Sequence, residues 1–229
     1  EPYALWAIEA APGIAAPCNH PAVELVNDLG AIERLTVFMW PALGLLAILA
    51  HPLVLAYLGP DWRATIPLVQ IIAVALLLNF PPGLNYPLII ATGAAKRAFI
   101  LAIVQVTITF PIVVFAARIS VEAVAWSTFA IVAVAVVTST IAVRSVVHFS
   151  IAGLFLSMRR SFVVTVIALA PPAVWAWMAG GASRMSFGEA ILAIALSALG
   201  WYIGLVVVRH PIHPEIGRLF VALKRRLVR

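Results

Sequence analysis

Apolar residues run along this chain in six charge-poor blocks, at about 35–58, 66–91, 98–117, 121–143, 161–179 and 188–208, with charged side chains gathered in the short stretches between them. Each block is long enough, as a helix, to cross a hydrocarbon layer roughly 30 Å thick. The only charges inside them are Glu122 and Glu189, each at the second residue of its block. A charge at mid-membrane costs roughly 2.5–3.5 kcal/mol, so clearing six windows predicts six spans. The fold class expected is an all-α integral membrane protein built as a six-helix transmembrane bundle over 35–208. Residues 1–34 read as a partial span leading into a polar cytoplasmic segment, and 209–229 as a basic cytoplasmic tail.

Helix breakers qualify the pattern. The first span carries Pro41 and the pair His51-Pro52. A proline inside a helix frees a carbonyl that membranes tolerate only where a neighbouring helix or water satisfies it, so this span is expected to pack against protein. The turn Gly59-Pro60-Asp61-Trp62-Arg63 follows, with Trp62 suited to the interfacial aromatic belt. The second span is the most irregular: Asn79, Pro81, Pro82, Gly83, Asn85 and Pro87 fall at membrane depth, predicting a broken or strongly bent helix. Such a bend is either a kink satisfied by an adjacent helix or a hinge lining a cavity.

It ends at Ala91-Thr92-Gly93, a C-cap sequence, before Lys96 and Arg97. Gln105, Thr107 and Thr109 in the third span suit interhelical hydrogen bonds or solute contact. Residues 146–160 are apolar but too short to cross before Arg159 and Arg160, and read as a separate helix lying in the interface. The fifth span is expected to kink at Pro171-Pro172.

Composition strengthens the membrane reading. Apolar residues make up 64% of the chain and charged ones 10%, against roughly 45–50% and 25% in soluble domains. The net charge of +6 does not point to nucleic acid, because the basic residues sit in short loops rather than on a folded face with stacking aromatics. Their asymmetry sets an orientation instead. With the first span running outward, Lys96, Arg97, Arg144, Arg159, Arg160, Arg209, Arg218, Lys224, Arg225, Arg226 and Arg229 lie on one side, and only Arg63, Arg118 and Arg184 on the other. Positive residues stay inside, so the carboxy terminus is expected in the cytoplasm. Glu1-Pro2-Tyr3 offers neither an initiating Met nor a signal sequence, and a longer chain is expected.

Chemistry is sparse. Cys18 is alone, which excludes a disulfide framework within the chain. There is no paired-carboxylate, His-Glu-x-x-His, GxSxG or Walker signature, so no catalytic residue, no metal and no cofactor is expected. His210 and His213 are three apart, but Pro211 and Pro214 spoil the helical geometry of a metal pair. His51 is the one titratable group near membrane depth, and so a functional candidate; the structural alternative is a bond to a carbonyl freed by Pro52.

The run Trp40-Pro41-Ala42-Leu43-Gly44-Leu45-Leu46-Ala47-Ile48-Leu49-Ala50-His51-Pro52, then Tyr57-Leu58-Gly59-Pro60-Asp61-Trp62, then Ile66-Pro67-Leu68, and later Ala91-Thr92-Gly93, resembles the oligosaccharide flippase family. These are polysaccharide transporters related to the multidrug and toxin extrusion exporters. The likeness is clearest over about 35–120. It implies one lobe of a two-lobe, alternating-access transporter of the bacterial inner membrane. The substrate would be a lipid-linked oligosaccharide, and the partners membrane lipid and a missing amino-terminal lobe. Under that resemblance Asn79, Asn85 and Gln105 are expected to face a cavity, and Pro41, Pro81, Pro82 and Gly83 to act as hinges. These spans hold no Arg or Lys for a pyrophosphate, so that charge is expected from Arg63 or Arg118 at the rim or from outside this chain. A drug or lipid exporter of the same fold and a non-transporting scaffold subunit are the alternatives.

Overall fold

A computed structural model describes residues 21–79, 95–144, 151–210 and 212. Six helices follow one another, with no strand among the described residues: α1 Pro21–Tyr57, α2 Thr65–Leu76, α3 Ala95–Ala117, α4 Val121–Arg144, α5 Ile151–Met178 and α6 Phe187–Val207. Five of them, all but α2, are long and apolar enough to cross a membrane. The chain is an all-α, multi-pass membrane bundle.

Two helices are longer than the sequence pattern implied. α1 begins at Pro21, a residue type suited to a first helical turn. It runs 37 residues, about 55 Å at 1.5 Å per residue. The stretch 21–34, expected as part of a polar segment ahead of the first span, is helical and continuous with that span. Likewise α5 starts at Ile151 and passes through Arg159 and Arg160 without a break. The interfacial helix expected over 146–160 is thus continuous with the fifth span from residue 151 onward. No glycine or proline falls between Met158 and Ala170 to end a helix, and arginines are good helix formers.

α2 is shorter than expected. Its twelve residues reach about 18 Å, and the helix loosens into turns at Leu77 and Leu78 before Asn79. Residues 80–94, which include Pro81, Pro82, Gly83, Asn85 and the Ala91-Thr92-Gly93 turn, lie outside the described residues.

α1 is the hub. It packs on α5, α6 and α2, while α5 lies along α6; α3 and α4 form a hairpin joined to the rest chiefly through α2. Burial follows this order: 39% of the α1 window is buried inside the protein against 6% of the α3 window. Two apolar clusters bind α1 to its neighbours. Val37, Val164, Leu205 and Ile212 form one at the end rich in arginine, and Leu49, Met185, Ala190 and Ala193 another at the end of the short loops.

Pro41 inside α1 is answered from outside the helix. Pro41 cannot donate to Val37 O, and the indole Nε1 of Trp201 on α6 donates there at 2.8 Å. Beside the carbonyl freed by Pro52, Gln70 Nε2 on α2 donates to Ala47 O at 3.1 Å. In α5, Pro171 frees Ile167 O, and the α6 backbone comes so close that a Cβ on Gly200 would stand 2.9 Å from that oxygen. A Cβ on Gly204 would stand 3.2 Å from Val164 Cα. Gly200 and Gly204, four apart, continue a buried line of small residues through Ala190, Ala193 and Ser197, the small-xxx-small arrangement by which membrane helices approach closely.

The termini are capped in recognisable ways. Ser186 and Glu189 form a reciprocal capping box at the start of α6, with Glu189 Oε2 accepting the Ser186 N–H at 2.7 Å. That explains an acidic residue at the edge of an apolar block. α5 ends with Gly181 N–H on Ala176 O and Gly180 N–H on Trp177 O, with Gly180 left-handed at φ 76°. α6 closes in the same pattern, His210 N–H on Leu205 O and Arg209 N–H on Val206 O. Here the left-handed position is held by Arg209 at φ 50°. A side chain there costs on the order of 1 kcal/mol or more, so the residues that follow must be held by other contacts.

Candidate functional site

Those contacts form the one buried cluster of ionisable groups among the described residues. Glu33 comes from α1, Arg160 and Ser161 from α5, and His210 from just beyond α6. Ser161 Oγ donates to Glu33 O at 2.9 Å, and His210 Nε2 lies 3.3 Å from Ser161 Oγ. The Glu33 carboxylate lies 3.6 Å from His210 Nε2 and 3.9 Å from Arg160 Nη1. Both gaps are ion-pair distances longer than a hydrogen bond. His210 is 1% exposed and Ser161 fully buried. Thr36 Oγ1 and Thr165 Oγ1 turn back onto Glu33 O and Ser161 O.

The hydrogen bonds select one tautomer of His210. Its Nδ1 accepts the Ile212 N–H at 3.3 Å, so in the neutral ring the proton sits on Nε2 and is donated toward Ser161 Oγ. Ser161 in turn gives its own hydroxyl proton to Glu33 O. Burial, with Arg160 and Arg34 nearby, pushes His210 down to about 4. The imidazole is therefore neutral at neutral pH. Chemically, the cluster ties α1, α5 and the chain after α6 together and can accept one proton; in this tautomer the Ser161 hydroxyl faces a protonated Nε2 and gives its own proton to Glu33 O. No three of His, Cys, Asp and Glu converge on a metal position among the described residues.

Beside it runs an apolar groove of about 400 Å³, lined by Trp40 from α1, Leu77 and Leu78 after α2, and Met158, Phe162 and Thr165 from α5, with exposed Arg159 at its edge. Trp40 and Phe162 meet edge to face at 6.4 Å. A shallower groove of about 230 Å³ separates α1 from α6 between Phe38, Pro41 and Ser197.

The residues singled out from the sequence are dispersed. Arg63 and Arg118 are exposed on the loops after α1 and α3. Asn79 is half-buried, beside the groove-lining Leu77 and Leu78 in the chain, and its N–H is taken by Leu76 O. Gln105 is half-buried in the middle of α3. Neither groove is lined by any of these four, and Asn85, Pro81, Pro82 and Gly83 fall outside the described residues. Pro41 is buried within a continuous α1, its freed carbonyl satisfied by Trp201. Thr107 and Thr109 do not make the interhelical bonds expected of them with these hydroxyls; they donate to Ile103 O and Gln105 O of their own helix, each at 2.8 Å. A hydroxyl one turn along its own helix finds the nearer carbonyl first. His51 keeps a buried Nδ1 with no hydrogen-bond partner among the described residues, so the bond to a carbonyl freed by Pro52 that was its structural alternative is not made through that nitrogen.

Sequence reasoning missed Glu33, Ser161 and His210 as a unit. The only local signals are a lone serine between two arginines and an apolar run, and a histidine placed three residues after the last apolar position of α6. Compared with family models, with curated proteins and with solved structures, the chain matches none.

Proposed function

We propose that this chain is a membrane transporter, the carboxy-terminal part of a flippase that moves a lipid-linked oligosaccharide across the bacterial inner membrane by alternating access, with its arginine-rich end in the cytoplasm. The observation that carries this reading is the groove under Arg159. Its apolar walls suit a long hydrocarbon chain, and a guanidinium at its edge suits the phosphate at the head of such a chain, since planar bidentate donors match phosphate geometry. Arg159 supplies, on a helix continuous with a span, the cation that the apolar blocks themselves lack. The order of motifs over 35–120 supports the same reading, with α1 and α2 as its main carriers.

Because Thr165 and Arg159 are the only hydroxyl-bearing or charged residues lining this groove among the described residues, a lipid exporter of the same architecture is the competing reading. One strain separates them. Deleting the full-length gene is expected to leave lipid-linked oligosaccharide on the cytoplasmic face and to deplete surface polysaccharide, and Arg159→Gln is expected to complement poorly. Unaltered surface polysaccharide with a changed outer-leaflet lipid composition would favour the exporter instead.

A further inference from the structure

We propose that His210 is an acid-released latch, which in its neutral form seats the start of the basic tail on α1 and α5 and on protonation lets it go. Nδ1 of a buried imidazole is the acceptor for the Ile212 N–H. Ile212 is itself buried against Val37, Val164 and Leu205. A second proton can enter the ring only at Nδ1, where it would turn the acceptor into a donor facing another donor. The bond to Ile212 is then lost and a charge is left in a buried position, so both effects act against docking.

The groups around the ring set the balance. From α1 come Glu33 and Arg34, from α5 come Arg160 and Ser161, and Arg209 precedes His210 in the chain. Glu33 is the only acid among them; burial raises its carboxyl above the usual range, and it lies on the Nε2 side, where it cannot replace the lost Nδ1 contact. Arg34 and Arg160 both oppose the added charge. Arg209 adds a mechanical bias: its left-handed backbone is held while His210 and Ile212 are docked, and relaxes once they leave. Beyond the latch lie Arg218, Lys224, Arg225, Arg226 and Arg229, so undocking frees the lead of a strongly basic segment. This inference does not depend on what the protein carries.

The test places a nitroxide at position 213 (His213→Cys in a Cys18→Ser background) of the full chain in lipid nanodiscs and follows its mobility by electron spin resonance. The probe is expected to be less mobile at pH 7.5 than after acidification below the ordinary histidine value of about 6.5, while helix content holds. His210→Gln, which keeps an acceptor but cannot be charged, is expected to abolish the transition. Glu33→Gln is expected to leave the transition in place, because burial holds that carboxyl above the usual carboxylate range and so largely uncharged at the acid end of the titration. Equal mobility at pH 7.5 and 3.5, or a transition that persists in His210→Gln, would overturn the latch. Should His210→Gln fail to fold, nitrogen-15 spectra of wild-type histidine decide: one buried ring protonated on Nε2 alone at pH 7 is expected, and none of that form is the contrary result.

Discussion

The indole N–H of Trp201 on α6 donates to the carbonyl oxygen of Val37 on α1 at 2.8 Å. Val37 is four residues before Pro41, so this is the oxygen that Pro41 leaves without a helical donor. A proline that would weaken an isolated helix becomes the point at which two helices are tied, and the Phe38 ring packs tilted against the same indole with centroids 5.0 Å apart.

The pair makes a non-additive prediction. Trp201→Phe keeps the ring but loses the donor, leaving a buried carbonyl unsatisfied at a cost of about 1–3 kcal/mol. In a Pro41→Ala background the new Ala N–H reaches Val37 O, and the same Trp201→Phe change is expected to cost less than half as much. Thermal or steric-trap unfolding of the four variants in one detergent measures the coupling; equal costs in both backgrounds would mean the bond contributes nothing.

At the α5–α6 contact, backbone meets backbone. Gly200→Ala would put a methyl 2.9 Å from Ile167 O and 3.3 Å from Ala168 Cα, neither of which can rotate away. A loss of about 1–3 kcal/mol is expected from overpacking. Gly188→Ala, with nothing within 4 Å of the new Cβ, is the control and is expected to be neutral or slightly stabilising, since alanine is the better helix former. Similar melting temperatures for both would refute close approach at Gly200.

Stability should also depend on pH with a fixed sign. His210 titrates near 4 in the folded chain and near 6.5 when unfolded. Between those values the unfolded chain binds more protons, so stability falls as pH drops from about 6.5 toward 4 and is unchanged by this residue above 6.5. Chemical denaturation at pH 7.5, 6 and 5 checks the slope, and His210→Gln should flatten it.

What could be read from the sequence was what repeats or has a fixed period. Long charge-poor blocks bounded by arginines place α1, α3, α4, α5 and α6 within a few residues, apart from the extensions of α1 and α5 at their amino-terminal ends. Those were misjudged because charge was taken as a boundary. An arginine at the edge of a membrane helix can extend to the interface while its backbone stays helical, and Arg159 and Arg160 do so within α5. The need to satisfy Pro41 was legible, but not the donor: Trp201 is 164 positions away, and nothing local distinguishes it from an interfacial belt residue. Gly200 and Gly204 carried a visible spacing whose partner was not visible. The Glu33, Ser161 and His210 cluster was illegible because its members are separated by 128 and 49 positions and meet only once three helices have packed.

The central claim is a bundle that spans the membrane with its arginine-rich end inside. Single cysteines introduced one at a time into the full chain of a Cys18→Ser background, at Asp61, Ser120 and Ser183 on one side and at Lys96 and Arg209 on the other, test it directly with a membrane-impermeant thiol reagent on intact cells. The first three are expected to label from outside, and the last two only after permeabilisation. Labelling of Lys96 or Arg209 in intact cells, or protection of all three loop positions, would contradict the account.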